Sequence, residues 1–88
     1  MNDFKYTYIN SATTTQVFTG TGRLHYITVN TTAAGTIGII DGTSGTTVNV
    51  GQLKASVAEG TYRYDVAVGA GLRIVTGAAS DITVCWSK

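Results

Sequence analysis

Thr61-Tyr62-Arg63-Tyr64-Asp65-Val66-Ala67-Val68, then Gly69-Ala70-Gly71, then Leu72-Arg73-Ile74-Val75-Thr76 is the stretch that decides the fold. Tyr62, Tyr64, Val66 and Val68 alternate with Thr61, Arg63, Asp65 and Ala67, and Leu72 and Ile74 oppose Arg73 and Val75. A period of two with one apolar side marks half-buried β-strands. Outward from there the same grammar recurs. Over 81–86, Ile82, Val84 and Trp86 oppose Asp81, Thr83 and Cys85; 36–41 puts Ile37 with Ile39, and 47–50 pairs Val48 with Val50. The stretch 23–30 breaks the rhythm, with Leu24 and Tyr26 on one face and Ile27 and Val29 on the other. A bulge, or a strand covered on both sides, is expected there. Stretches 5–10 and 14–19 complete the set. Turn signals at 41–45, 69–71 and 77–80 predict hairpins. The expectation is an all-β, compact two-sheet antiparallel sandwich or small jelly roll of seven to eight strands. It forms one domain over 1–88, with 1–18 as an N-terminal docking arm or edge strands.

Composition agrees. Threonine, valine and isoleucine make up 32 of the 88 residues, and proline is absent. β-Branched side chains suit a pleated sheet surface. A chain of this length buries only roughly 60–65% of the surface it exposes unfolded, so it needs support. One cysteine, Cys85, forbids an intrachain disulfide, and one histidine, His25, with it forbids a Cys/His zinc cage. Stability is therefore expected to come from assembly with other chains, as a homo-oligomer.

Charge narrows the partners. The formal net charge is +1 and only 12% of residues are charged, against about 25% in an average domain. That is neither a nucleic-acid footprint nor a polybasic membrane signal. No stretch has the apolar length of a signal peptide or a membrane span, so a soluble chain is expected.

The search for chemistry predicts no enzyme, no cofactor and no metal. Asp41 and Asp81 flank turns, where Asp ordinarily binds backbone. A Ser-His-Asp triad is arithmetically possible, but no G-x-S-x-G elbow presents a serine. His25 and Cys85 read as packing residues within strands. The glycine loops lack the lysine and helix of a phosphate loop, and 41–45 lacks the second carboxylate of a calcium loop. Asn30-Thr31-Thr32 matches a glycosylation sequon, as chance allows in so threonine-rich a chain. Aromatic residues are left. Phe4, Tyr6, Tyr8, Ile9 and Trp86 are the expected protein interface, since Tyr packs its ring while its hydroxyl stays wet. The alternative is a carbohydrate-binding module with Tyr6, Tyr8, Tyr62, Tyr64 or Trp86 as sugar platforms.

A longer pattern runs from Gly22 onward: Gly22-Arg23-Leu24-His25-Tyr26-Ile27-Thr28-Val29-Asn30, Ala33-Ala34-Gly35-Thr36-Ile37, Ile40-Asp41-Gly42-Thr43-Ser44-Gly45, Gly60-Thr61-Tyr62, and Gly71-Leu72-Arg73-Ile74-Val75-Thr76-Gly77 through Val84. It resembles small β-sandwich structural proteins of tailed bacteriophages, some of which are capsid decoration (cement) proteins. The resemblance covers about three-quarters of the chain, leaving 1–18 largely outside. It implies a virion component without enzymatic activity. The first expectation built on it is a decoration protein on the capsid surface, assembled in the host cytoplasm, with the major capsid protein as partner and a trimer as the favoured oligomer; a tail, neck or fibre position is the alternative.

Overall fold

The computed structural model describes residues 4–88, and among them there is no helix. Eight strands run in chain order: β1 (Lys5–Ile9), β2 (Thr14–Thr19), β3 (Gly22–Thr31), β4 (Ile37–Asp41), β5 (Gly51–Leu53), β6 (Gly60–Val68), β7 (Gly71–Thr76) and β8 (Asp81–Ser87). They form two antiparallel sheets, a first of order β1-β8-β3-β6 and a second of order β2-β7-β4-β5. The pairs β1·β8, β2·β7, β3·β6 and β4·β5 are nested, as if one long hairpin were rolled up. Pairs β3·β8 and β4·β7 then close each sheet. Eight strands in this order are a jelly roll. The two N-terminal strands, β1 and β2, are edge strands, one in each sheet.

Period two carries the core. Across the first sheet, the rows Thr7–Val84–Ile27–Tyr62 and Ile9–Ile82–Val29–Gly60 lie in register. Ile27, Ile82, Val84 and Val29 are buried and meet Ile37, Ile39, Leu72 and Ile74 of the second sheet. The irregular stretch around residue 25 is a bulge: the register of β3 shifts between Leu24 and Tyr26 against both β6 and β8. Leu24 and Ile27 can thus both reach the core, and His25 is the residue displaced.

Three local expectations are corrected. The strand expected at 47–50 is instead Gly51–Leu53. Val48 sits over Gly38, where a Cβ would come within 2.7 Å of Val48 Cγ2. The Asn49 side chain accepts from Asp41 N–H (2.8 Å) and donates to Asp41 C=O (3.2 Å). Side chains therefore do at 48 and 49 what a ladder would otherwise do. The turns at 69–71 and 77–80 are not hairpins but corners, because β6 and β8 belong to the first sheet and β7 to the second. The segment at 41–45 does lie between paired strands, β4 and β5, but as part of a connection running through residue 50.

The corner after β6 has a visible cause. The carboxylate of Asp41 accepts from the backbone N–H of Gly69 (3.0 Å), Ala70 (2.9 Å) and, weakly, Gly71 (3.4 Å). Gly71 has φ +152, and a Cβ there would lie 2.7 Å from the Phe18 carbonyl oxygen. Alanine has no room at that point and no comfortable backbone conformation. Hydrogen bonds from Gly69 and Ala70 hold the Asp41 carboxyl below its ordinary range, with burial opposing them. A carboxyl lowered in the folded state adds stability above its unfolded pKa, about 3.9, which is lost as pH falls through the lower folded value. Asp41→Asn is expected to cost about 1 kcal/mol at pH 7, since the site remains in contact with solvent. In denaturant titrations the deficit should shrink as pH falls below the ordinary carboxylate range and the native carboxyl protonates; a deficit independent of pH would sink the clamp. Gly71→Ala is expected to lower the melting temperature by more than about 8 °C, beyond what one kcal/mol shifts in a chain this size.

Candidate functional site

The outer face of the first sheet holds the chain's unusual side chains. Because alternate residues share a face, the register builds two outer rows: Tyr6–Cys85–Tyr26–Arg63 and Tyr8–Thr83–Thr28–Thr61. Tyr6 is 73% exposed, Tyr8 51%, and Phe4, just before β1, 62%. These are the large exposed hydrophobic side chains of the described residues, and all three belong to one edge. Tyr8 is held upright: its hydroxyl donates to Asp81 Oδ2 at 2.6 Å, and that bond raises its pKa. Asn30 Nδ2 donates to Asp81 Oδ1 (3.1 Å), while the hydroxyls of Thr28 and Thr61 bond each other at 3.0 Å. The face is aromatic at the β1 edge and hydroxylated toward β6.

Of the five residues expected at an interface, Phe4, Tyr6 and Tyr8 stand on this face. Ile9 is buried in the core. Trp86 is half-buried, its ring against Phe18 (centroids 5.0 Å) and its Nε1–H donating to Thr7 Oγ1 (3.0 Å). Tyr62 and Tyr64 also pack against the core. Of the five sugar-platform residues, only Tyr6 and Tyr8 offer an exposed ring.

One end of the face joins residues far apart in sequence. The displaced His25 places Nε2 2.9 Å from Ser87 Oγ, and its Nδ1 lies 3.6 Å from Asp65 Oδ1. Phe4 stacks on the imidazole with centroids 3.9 Å apart and planes 12° from parallel. Asp65 sits in the β6 bulge at φ 51, a left-handed conformation that Asp tolerates better than most residues. These are the residue types of an acyl-transfer triad, but the Asp–His separation exceeds a hydrogen bond and the same carboxylate faces Arg63 at 3.3 Å. A cleft of about 270 Å³ lies beside Ser87, lined by Thr21, Gly22, Arg23 and Lys88. Both of its cations are engaged: Arg23 donates to Asp65 C=O (3.2 Å) and Lys88 to Thr19 C=O (2.7 Å). What the cluster does physically is fasten Phe4, and with it the start of β1, to β3 and β8.

Among the described residues no group of three or more His, Cys, Asp and Glu gathers as a metal site. Cys85 is a buried free thiol in the row between Tyr6 and Tyr26. Comparison with known protein families, with curated proteins and with solved structures gave no match for this chain.

Sequence reading missed Ser87 and Asp65 as neighbours of His25; the irregular alternation at 23–30 was the one signal that the histidine is displaced. The stack gives a measurable coupling. A double-mutant cycle of Phe4→Ala and His25→Ala is expected to show about 0.5–1 kcal/mol of interaction, in the range of aromatic pairs and discounted for the exposed phenyl ring. Additive losses in urea denaturation would mean that Phe4 rests on the histidine without holding it.

Proposed function

We propose that this chain is a structural protein without enzymatic activity, a capsid decoration protein of the tailed-bacteriophage kind. It docks through the outer face of the first sheet onto the major capsid protein of a head shell. The observation that carries the docking is the gathering of Phe4, Tyr6 and Tyr8, each more than half exposed, at one edge of a sheet, in a chain of which only 12% is charged. Exposed aromatic residues gathered in this way are the composition of interface centres, not of free surfaces. The Gly22–Val84 resemblance supplies the virion context. Jelly rolls occur in viral capsid proteins and also in lectins and cupins, so the fold is compatible with this reading without selecting it.

Docking works here by covering the aromatic rows and spanning neighbouring capsid subunits; a stable contact buries at least about 1,200 Å² in total. Bound copies then stabilise the shell by mass action. Purified chain is expected to bind particles assembled without it and to raise their melting temperature. Arg63→Glu with Thr28→Glu, on the same face but away from β1, should weaken binding at least tenfold. Antibody labelling in the electron microscope should mark the heads; label confined to tail, neck or fibre would move the protein elsewhere on the virion. Absence of both binding and label would remove the proposal. A serine-reactive fluorophosphonate should leave Ser87 unmodified.

A second reading rests on Tyr6 and Tyr8 as flat exposed rings beside Asp81, Asn30 and Thr83, an arrangement that suits sugar stacking. Binding on a glycan array that is lost in Tyr6→Ala and Tyr8→Ala would favour it over protein docking.

A further inference from the structure

The two sheets have four edges, and three are guarded. β6 carries Arg63 and Asp65 at a bulge, with Asp65 in a left-handed conformation. β2 is bulged between Gln16 and Phe18. β5 has three residues and is followed by Lys54. Bulges, charges and short length are the devices by which proteins keep sheet edges from pairing with other chains. β1 has none of the three beyond a single lysine: it is five residues long, pairs with β8 without a register shift, and no described strand lies on its other side.

We infer that β1 is a pairing edge whose occupant is β1 of a second copy, antiparallel, about a two-fold axis at Thr7. The strand's own sequence selects that partner. Lys5-Tyr6-Thr7-Tyr8-Ile9 reads Tyr-Thr-Tyr in both directions about its centre, which is the self-complementarity an isologous contact requires. In this register Tyr6 of each copy lies opposite Tyr8 of the other, twice, and opposite residues of an antiparallel pair share a face. Both tyrosines are on the outer side, so the rings meet as cross-strand aromatic pairs, a favourable combination. Each Lys5 faces the other copy's Ile9. The two lysines end up about 13 Å apart along the strands, beyond the physiological screening length. No like charges oppose each other. The two outer faces become one eight-stranded surface, which gives the docking reading a doubled aromatic platform. A two-fold strand pair closes at two copies, not at the trimer expected of a decoration protein.

Light scattering on the full chain at about 100 μM is expected to give twice the 9.2 kDa chain mass. Tyr6→Lys with Tyr8→Lys sets amine against amine in both pairs and should weaken dimerisation at least 30-fold. Tyr6→Glu with Tyr8→Lys sets a carboxylate against an amine twice and should restore it. Both positions are exposed, and a cooperative melting transition in dilute solution confirms that the variants fold. A wild-type monomer or trimer, a Lys/Lys variant that still dimerises, or a Glu/Lys variant that does not would each overturn the pairing. The proposed docking is scored separately on particles. A monomer that still decorates them overturns the pairing and spares the docking; a dimer that binds no particle does the reverse.

Discussion

Everything in the first sheet depends on β8 entering between β1 and β3. The last strand supplies the middle of the sheet: its inner side contributes Ile82 and Val84, and its outer side underlies both surface rows. Without β8, β1 has no partner and β3 keeps one neighbour. The fold therefore rests on contacts between the two ends of the chain. Of its six strand pairings only β4·β5 joins consecutive strands. Such non-local topologies close large loops before they gain contacts, and they fold slowly for that reason. Corners that fix the path in advance consequently matter, and the Asp41 clamp on Gly69 and Ala70 is one of them.

The same constraint explains what could be read from the sequence. Alternation is local, so the inward sets Ile82/Val84, Leu72/Ile74 and Ile37/Ile39 were legible, as was the bulge as one of two options at 23–30. A turn signal is also local: it says that the chain reverses, not which sheet receives the next strand. Gly69-Ala70-Gly71 reads like a hairpin until Asp41, 28 to 30 residues away, is seen to hold it as a corner. Val48 and Val50 have strand-like spacing, but the space above Gly38 and the reach of Asn49 decide their use. The site divides in the same way. Exposed Tyr6 and Tyr8 follow from period two on an edge strand, and that period puts Ile9 on the other face. The Ser87–His25 contact joins residues 62 apart and has no local signature.

The His25 cluster and the β1 edge are two parts of one arrangement. Phe4 stacks on the displaced imidazole, Tyr8 is anchored to Asp81, and Trp86 donates to Thr7. Each contact ties β1 down from a different side. If β1 receives another chain, as proposed, it benefits from being held in its bound conformation beforehand, because ordering it at the moment of association would subtract from affinity. The polar cluster needs no catalytic role to account for its geometry; it stiffens a strand that has one neighbour.

Small size turns this into a coupling between association and stability. A domain of this length has little core in reserve, and the buried side chains here are mostly isoleucine, leucine and valine with a single Phe at one end. Whatever binds the folded β1 edge adds to stability in proportion to the logarithm of its concentration. Under the proposed pairing the edge must be sticky enough to pair and not so sticky that it aggregates. Tyrosine at 6 and 8 meets both demands, where Ile or Val would extend a dry apolar strip. Its ring supplies contact area, its hydroxyl keeps a water-facing partner, and the Tyr8–Asp81 bond limits how the ring can turn. In the proposed pairing, two tyrosines flanking Thr7 thus restrict an otherwise open edge to one register, which distinguishes a specific contact from the indiscriminate strand addition that unguarded edges invite.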